Sequence, residues 1–274
     1  MINSVSTIIP NFNYGRFLNK TIDSVLEQTY SHIEIIVIDN GSTDNSREVL
    51  ESYGDRIKTI FQTNLGQAVA RNVGISNASG DFIALLDADD YWEPSKIERQ
   101  FERVDKEFQF IYTGFRQFES NSGTTLQEVH PIFQGDCSLS FVNFPTRAII
   151  PGGESSALIT REIVKKVGDF NPDLNSASGR DFFRRCSAKT KFAFVDDSLI
   201  NYRRHNLNMS LQSKSMMTDT AEAYRILFED PEWQFAMKYR KSCLSKLHWS
   251  FFKTFVKKGD FLSSIPELVK TIAF

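Results

Sequence analysis

Phe82-Ile-Ala-Leu-Leu-Asp-Ala-Asp-Asp90 is the stretch on which the reading of this chain turns. Five apolar residues carry the backbone through a core, and three carboxylates follow within four positions. Like charges set this close repel one another and favour either solvent or a cation. At the mouth of a buried strand they suit a hard divalent ion, Mg2+ or Mn2+, which takes oxygen ligands. An isolated Asp-x-Asp is also what a solvated acidic turn looks like, so the surrounding chain must decide.

Working outward, the same theme recurs. Residues 5–9 predict a strand that ends at Pro10, and Phe17, Leu18, Ile22, Val25 and Leu26 then repeat at helical spacing. Residues 33–38, dense in β-branched side chains, predict a second strand closing on Asp39-Asn-Gly-Ser-Thr-Asp44. A third strand is expected near 57–61, a helix near 66–76, and a fourth strand at 82–86. Apolar strands alternating with helices predict a mostly parallel sheet covered on both faces. Ligands of such sheets bind beyond the carboxyl ends of the strands. Pro10-Asn11, Asp39-Asn40 and Asp87-Ala-Asp89 all stand at such ends, so three polar clusters are expected along one edge.

The middle of the chain is less periodic. A helix is expected from Glu93-Pro94 to about Lys106, a strand at 110–118, and loop over 119–153. A strand at 155–159, helices at 161–167 and 179–189, and two short strands at 192–195 and 199–202 follow. From about Thr218 the pattern is helical, with Leu244, Leu247, Phe251 and Phe255 on one stripe and Lys246, Lys253 and Lys257 opposite. Residues 238–258 therefore form either a helix packed on the body or an interfacial helix on anionic lipid.

At 274 residues the chain can bury a large core, and its formal charge is only −2. That charge is uneven: residues 233–274 hold eight Lys/Arg against two acids, a net +6 that leaves −8 for the rest. An acidic body argues against a nucleic-acid partner. No apolar run approaches a membrane span, and the first residues show no basic, cleavable leader. Cys137, Cys186 and Cys243 are odd in number and far apart, which suits a reducing compartment and gives no zinc spacing. The expected location is cytoplasmic, with the inner membrane face as the extension offered by the tail.

Five blocks then come in order: Ile8-Ile-Pro-Asn-Phe-Asn13, Ile22-Asp-Ser-Val-Leu-Glu-Gln-Thr-Tyr30 and Glu34-Ile-Ile-Val-Ile-Asp-Asn-Gly-Ser-Thr-Asp44 are the first three. Asn64-Leu-Gly-Gln-Ala-Val-Ala-Arg-Asn-Val-Gly74 and Gly80-Asp-Phe-Ile-Ala-Leu-Leu-Asp-Ala-Asp-Asp90 complete them. Over about residues 4–205 the chain resembles the family 2 glycosyltransferases. The resemblance implies an α/β GT-A fold: a Rossmann-like, mostly parallel central sheet flanked by helices, here with a C-terminal helical appendage. It also implies a catalytic domain over 1–215, with a nucleotide-binding half (1–95) and an acceptor-side half (96–215), followed by a basic helical region over 216–274.

The activity implied is inverting transfer of one sugar from a nucleoside-diphosphate sugar, first of all a UDP-sugar. The acceptor would be a hydroxyl of a glycan or a lipid-linked precursor, in bacterial cell-surface polysaccharide or glycolipid synthesis. Processive members carry a Q-x-x-R-W element and membrane spans, and neither occurs here. Residue by residue, Asp39 matches the uracil-binding position, while Pro10, Asn11, Asn13, Asn40 and Ala88 fall where the nucleotide sugar is held. Asn11, Phe12 and Asn40 stand where the family often has Thr, Tyr and Asp, which loosens the assignment of the base. Arg71 is expected against Asp39 or a phosphate, and Asp87 near the ribose or the metal. Asp89 is expected on a Mn2+ or Mg2+ ion, with Asp90 behind it. Gly179-Arg-Asp-Phe-Phe-Arg-Arg185 resembles the acidic helix start that supplies the base, a role that would fall to Asp181, with Arg180 replacing the usual neighbouring Glu. In Tyr202-Arg-Arg-His-Asn-Leu-Asn-Met-Ser210, His205 would ligate the metal or touch the diphosphate.

Other readings account for less of the chain. A haloacid-dehalogenase-type phosphatase places its Asp-x-Asp at the first strand, not the fourth. A nucleotidyltransferase needs a Gly-rich basic loop after strand one, and neither a P-loop nor G-x-G-x-x-G is present. The alternative of another class is a non-catalytic module binding nucleotide sugar or glycan on the same fold.

Overall fold

The computed structural model describes residues 3–206, 208 and 213–273. Its first part alternates strand and helix: β1 (Val5–Asn11), α1 (Gly15–Leu26), β2 (Ile33–Asp39), α2 (Ser46–Tyr53), β3 (Lys58–Phe61), α3 (Gln67–Ser76) and β4 (Phe82–Leu85). These four strands lie parallel in the order β3-β2-β1-β4. Both faces are covered. Ile8, Ile36 and Ile38 point to Ala68 and Ala70 of α3, while Ile9 and Val37 point to Leu18, Ile22 and Val25 of α1. Alternate residues of each strand thus enter different cores, which is why the strands read as continuous apolar runs.

Register sets the functional edge. Asn11 pairs with Asp39 across β1 and β2, and Ile8 pairs with Leu85 across β1 and β4. The strand ends carrying Asn11, Asp39 and Asp87 consequently lie on the same side of the sheet.

The second part continues with β5 (Tyr91–Trp92), α4 (Lys96–Phe101), β6 (Phe108–Glu119), β7 (Thr125–Val129) and α5 (Ser138–Asn143). It closes with β8 (Leu158–Thr160), α6 (Arg161–Val167), α7 (Ser178–Ser187) and β9 (Lys191–Arg204). Here the sheet turns mixed: β8 is antiparallel to both β4 and β6, β9 is parallel to β6, and β5 is antiparallel to β9. The helix expected over 93–106 forms only six residues. The two short strands expected at 192–202 are one strand, because a bulge absorbs the polar break. Thr113 pairs with Val195 and Gly114 with Ser198, leaving Asp196 and Asp197 outside the ladder.

The chain ends in α8 (Ser213–Glu229), a 3-10 segment (Pro231–Tyr239), α9 (Arg240–Lys257) and α10 (Phe261–Ala273). Leu244, Leu247, Phe251 and Phe255 pack inward against Tyr224, Leu227 and Trp233, so the apolar stripe of α9 is buried in the protein rather than presented to lipid. What α9 and α10 leave exposed is a different set: Trp249, Val256, Phe261, Leu262, Ile265 and Val269. No described helix is long and apolar enough to cross a membrane.

Candidate active site

Two adjoining cavities open along the carboxyl edge of the parallel strands. The larger, about 460 Å³, is lined by Pro10 to Tyr14, Asn40, Asn64, Gly66, Gln67, Ala70 and Asn175. The smaller, about 190 Å³, shares Pro10, Tyr14 and Gln67 and adds Arg71, Asp87, Ala88, Asp89, Glu154 and Tyr202. A polar cleft of this size at the switch edge of an α/β sheet is where a nucleotide-sized ligand fits.

In the larger cavity the polar wall is built from amides. Asn11 donates its Nδ2 to Asp39 Oδ1 at 2.9 Å and to Ser42 Oγ at 3.1 Å. Its Oδ1 is buried with no hydrogen-bond partner among the described residues. An orphaned buried acceptor is costly unless a ligand supplies the donor. Asp39 lies behind this wall: Oδ1 is taken by Asn11 and Oδ2 accepts from the Ser42 amide at 3.3 Å, and Asp39 lines neither cavity. Asn13, with φ of 60°, accepts from the Thr43 amide at 2.7 Å. Asn40 binds Gln62, Asn64 and the Leu65 amide, and so fixes the loop that lips the cavity.

In the smaller cavity the charges gather. The Arg71 guanidinium is buried between Asp87 Oδ1, at 2.9 Å from Nη2, and Glu154 Oε1, at 2.7 Å from Nη1. It meets these two carboxylates and not Asp39. Burial pushes the Asp87 carboxyl up to about 6; Arg71 opposes the rise, and Glu154 and Asp89 add to it. Asp90 is fully enclosed, accepting from Ser155 Oγ at 2.8 Å and the Arg203 amide at 3.1 Å. Burial first, then Asp89 and Asp87, hold its carboxyl well above the usual range, and its two hydrogen bonds brace the turn.

Asp89 Oδ2 sits 2.9 Å from His205 Nε2 and 3.3 Å from Asn208 Nδ2. His205 comes from beyond β9, and its ring packs against Phe17 and Tyr14. Leu207, Met209 and Ser210 of that block lie outside the described residues. Among the described residues no group of three or more His, Cys, Asp or Glu side chains is posed to hold a metal. The donor chemistry nevertheless fits a divalent ion. Asp89 and His205 offer oxygen and nitrogen side by side, with a further carboxylate, Asp87, on the same cavity wall.

The structure does not bring Asp181 into this cleft. Its Oδ1 meets Arg184 Nη2 at 2.7 Å and its Oδ2 meets Arg185 Nε at 2.9 Å, with the side chain 2% exposed. It borders a small crevice with Phe141, Tyr224 and Leu227 on the far side of α7. Arg180 likewise turns away, onto the Tyr224 hydroxyl and the Arg147 carbonyl. Pro151-Gly-Gly-Glu-Ser-Ser156 is expected on the acceptor side from the sequence, with no role for Glu154 itself, and the structure brings Glu154 into the smaller cavity. The sequence signal was Pro151-Gly-Gly-Glu: Gly152 and Gly153 take φ of 72° and 54°, a left-handed turn that glycine enters freely and that delivers Glu154 to the cavity.

Residues 6–168 match the family model described as Glycosyl transferase family 2. Over 129 residues the chain is 36% identical to the putative teichuronic acid biosynthesis glycosyltransferase TuaG of Bacillus subtilis, covering 45% of this chain and 51% of that one. S. aureus TarS in complex with UDP-GlcNAc superposes with a TM-score of 0.72 at 17% identity, covering 98% of this chain and 80% of that chain. The mannosyltransferase PcManGT from Pyrobaculum calidifontis, in complex with GDP-Man and Mn2+, superposes with a TM-score of 0.66 at 14% identity, covering 100% and 76%. The chain spans 31%, 44% and 34% of the length of three further curated glycosyltransferases that it matches.

Proposed function

We propose that this chain, which belongs to glycosyl transferase family 2 and has the GT-A fold, moves one sugar from a nucleoside-diphosphate sugar to an acceptor hydroxyl with inversion. The observation that carries the reading is the pair of adjoining cavities at the strand ends, one walled by amides and one by charge. A base and ribose suit the first, where Asn11 Oδ1 awaits a donor and Pro10, Asn13 and Asn40 complete the wall with Asp39 behind Asn11. A diphosphate and sugar suit the second, beside Arg71, Asp87 and Ala88. Asp89 and His205 would hold Mn2+ or Mg2+, and such an ion, when bound, supplies Lewis-acid stabilisation of the departing diphosphate. The ion pairs that buried Arg71 makes with Asp87 and Glu154 keep the charged wall fixed before substrate arrives, so little reorganisation is required at the moment of reaction.

A UDP-sugar donor and a cell-surface polysaccharide or lipid-linked acceptor are the substrates proposed, supported by what TarS binds and what TuaG is named for. The catalytic unit proposed is 1–215, with 216–274 as a helical appendage. The test is a panel of UDP-glucose, UDP-galactose, UDP-GlcNAc and GDP-mannose with Mn2+, Mg2+ or EDTA, reading nucleoside diphosphate release. At least one donor is expected to turn over, with EDTA removing the activity. Binding of a donor with no release under any condition would instead favour the non-catalytic module.

The membrane contact is proposed for the exposed apolar set of α9 and α10, Trp249, Phe261 and Leu262 among them, flanked by Lys253, Lys257 and Lys258. Sedimentation with phosphatidylglycerol vesicles is expected to carry the protein down, less so in high salt, and phosphatidylcholine vesicles are expected to leave it in solution. Equal behaviour with both lipids would remove the proposal.

A further inference from the structure

We propose that Glu154, not the helix carboxylate Asp181, is the general base that deprotonates the acceptor hydroxyl; the inference rests on the glycosyltransferase reading above. Three independent features of the molecule lead there. The first is exclusion. Both Asp181 oxygens are paired with guanidinium groups inside the protein. One of those, Arg184, is itself clamped by Asp230 at 2.8 Å and stacked over Trp233. Neither oxygen is left for an acceptor hydroxyl, and Asp181 lines neither cavity of the cleft.

The second is position. Glu154 lines the smaller cavity together with Asp87, Asp89 and Arg71, and its side chain is 17% exposed there. Arg71 engages Oε1, while Oε2 has no partner among the described residues. One oxygen is therefore anchored and the other is unpartnered, on a side chain that lines the cleft. That is the arrangement a base needs to meet a hydroxyl within hydrogen-bond reach. Asp87 takes Arg71 and Gln67 on Oδ1 and Asp89 takes His205 and Asn208 on Oδ2, so each also keeps one oxygen without a partner among the described residues; Glu154 differs from them in its place against the start of α7.

The third is Gly179, near the start of α7. Glycine inside a helix costs about 0.5–1 kcal/mol relative to alanine. No unusual φ calls for it here. Space does: a Cβ at 179 would overlap Glu154 Oε1 and Cδ and stand 2.9 Å from Oε2. The Glu154 carboxylate fills the volume into which a side chain on the first turn of α7 would project. With glycine at 179, the start of α7 leaves room for the carboxylate that the 151–156 turn supplies.

The proposed step balances simply. Glu154 Oε2 takes the acceptor proton as the acceptor oxygen bonds to the anomeric carbon. The bond from that carbon to the diphosphate oxygen breaks, and its electron pair leaves with the nucleoside diphosphate. Glu154, now a neutral acid, returns the proton to solvent.

The experiment compares wild type, Glu154→Gln and the double variant Glu154→Ala with Gly179→Asp, in which the alanine vacates the volume the new carboxylate needs, using whichever sugar nucleotide of the panel wild type turns over fastest. Glu154→Gln is expected to lower kcat by about 10²–10⁴-fold with donor KM within a few-fold. The double variant returns a carboxylate to the same volume and is expected to recover at least tenfold of that loss. Thermal unfolding of each variant, with Glu154→Asp as the conservative replacement, separates chemistry from misfolding. A Glu154→Gln enzyme within about threefold of wild-type kcat would overturn the inference. So would a change confined to donor KM, which is what a role limited to holding Arg71 produces. Wild type that neither binds nor turns over any nucleotide sugar would instead overturn the transferase reading itself, and this inference with it.

Discussion

Replacing Asp89 by alanine is expected to abolish metal-dependent turnover while leaving a folded protein. Asp89 has no buried salt bridge to an arginine; its side-chain partners are His205 and Asn208 at the cavity wall. Its removal therefore unbalances less of the interior than removal of Asp87 or Asp90 would. Lewis-acid stabilisation of a leaving diphosphate is worth several kcal/mol, and each 1.36 kcal/mol is tenfold in rate, so a loss of about 10²–10⁴ in kcat follows. Mn2+ titration followed by donor binding is the check. Metal-dependent donor binding as tight as wild type would remove Asp89 from the metal site. His205→Ala, probed the same way, is expected to weaken the metal response in the same direction.

The second large effect is on stability. Asp181→Asn conserves volume but removes the charge that Arg184 and Arg185 share. Arg184 is 3% exposed, and only Asp230 would remain to compensate it. Breaking a buried pair from one side costs about 3–5 kcal/mol, and the surviving Asp230 contact points to the lower end. About 3 kcal/mol corresponds to a fall in melting temperature of roughly 6–12 °C for a chain of this size. Thermal unfolding measures it directly. A variant that melts like wild type yet has lost its turnover would return the base role to Asp181 and take it from Glu154.

These two expectations separate carboxylates that look equivalent in the sequence. Asp89 is bordered by apolar and acidic residues at a strand exit, which places it on the sheet edge, while its partners His205 and Asn208 come from beyond β9. Asp181 stands at a helix start, where a capping or catalytic carboxylate is equally at home. The signal that distinguishes them was present: Arg184 and Arg185 lie three and four residues on, the spacing at which a helical carboxylate meets a cation. That spacing is visible, but whether the face carrying it is buried is not. Glu154 had weaker local cues still. It sits in a glycine turn and reaches the cleft only because β8 runs antiparallel beside β4. Its partner Arg71 lies on α3 of the other half of the chain.

The same division holds for the tail. The stripe of Leu244, Leu247, Phe251 and Phe255 satisfies both a packed helix and a membrane-surface helix, because burial against protein and burial in lipid select the same periodicity. Only the placement of Tyr224, Leu227 and Trp233 opposite that stripe decides for packing.

By itself the sequence determined the strands and helices of the first ninety residues and the edge on which Asn11, Asp39 and Asp87 gather. Hydrophobic period and strand polarity are local quantities, and in a parallel sheet the strand ends must share a side. Tertiary structure alone decided which carboxylates face the cleft. It set Arg71 between Asp87 and Glu154, turned Asp181 onto its own helix's arginines, and put Glu154 in the space that Gly179 leaves open. Those outcomes depend on contacts between residues far apart in the chain, and on how buried charges must be paired once water is excluded.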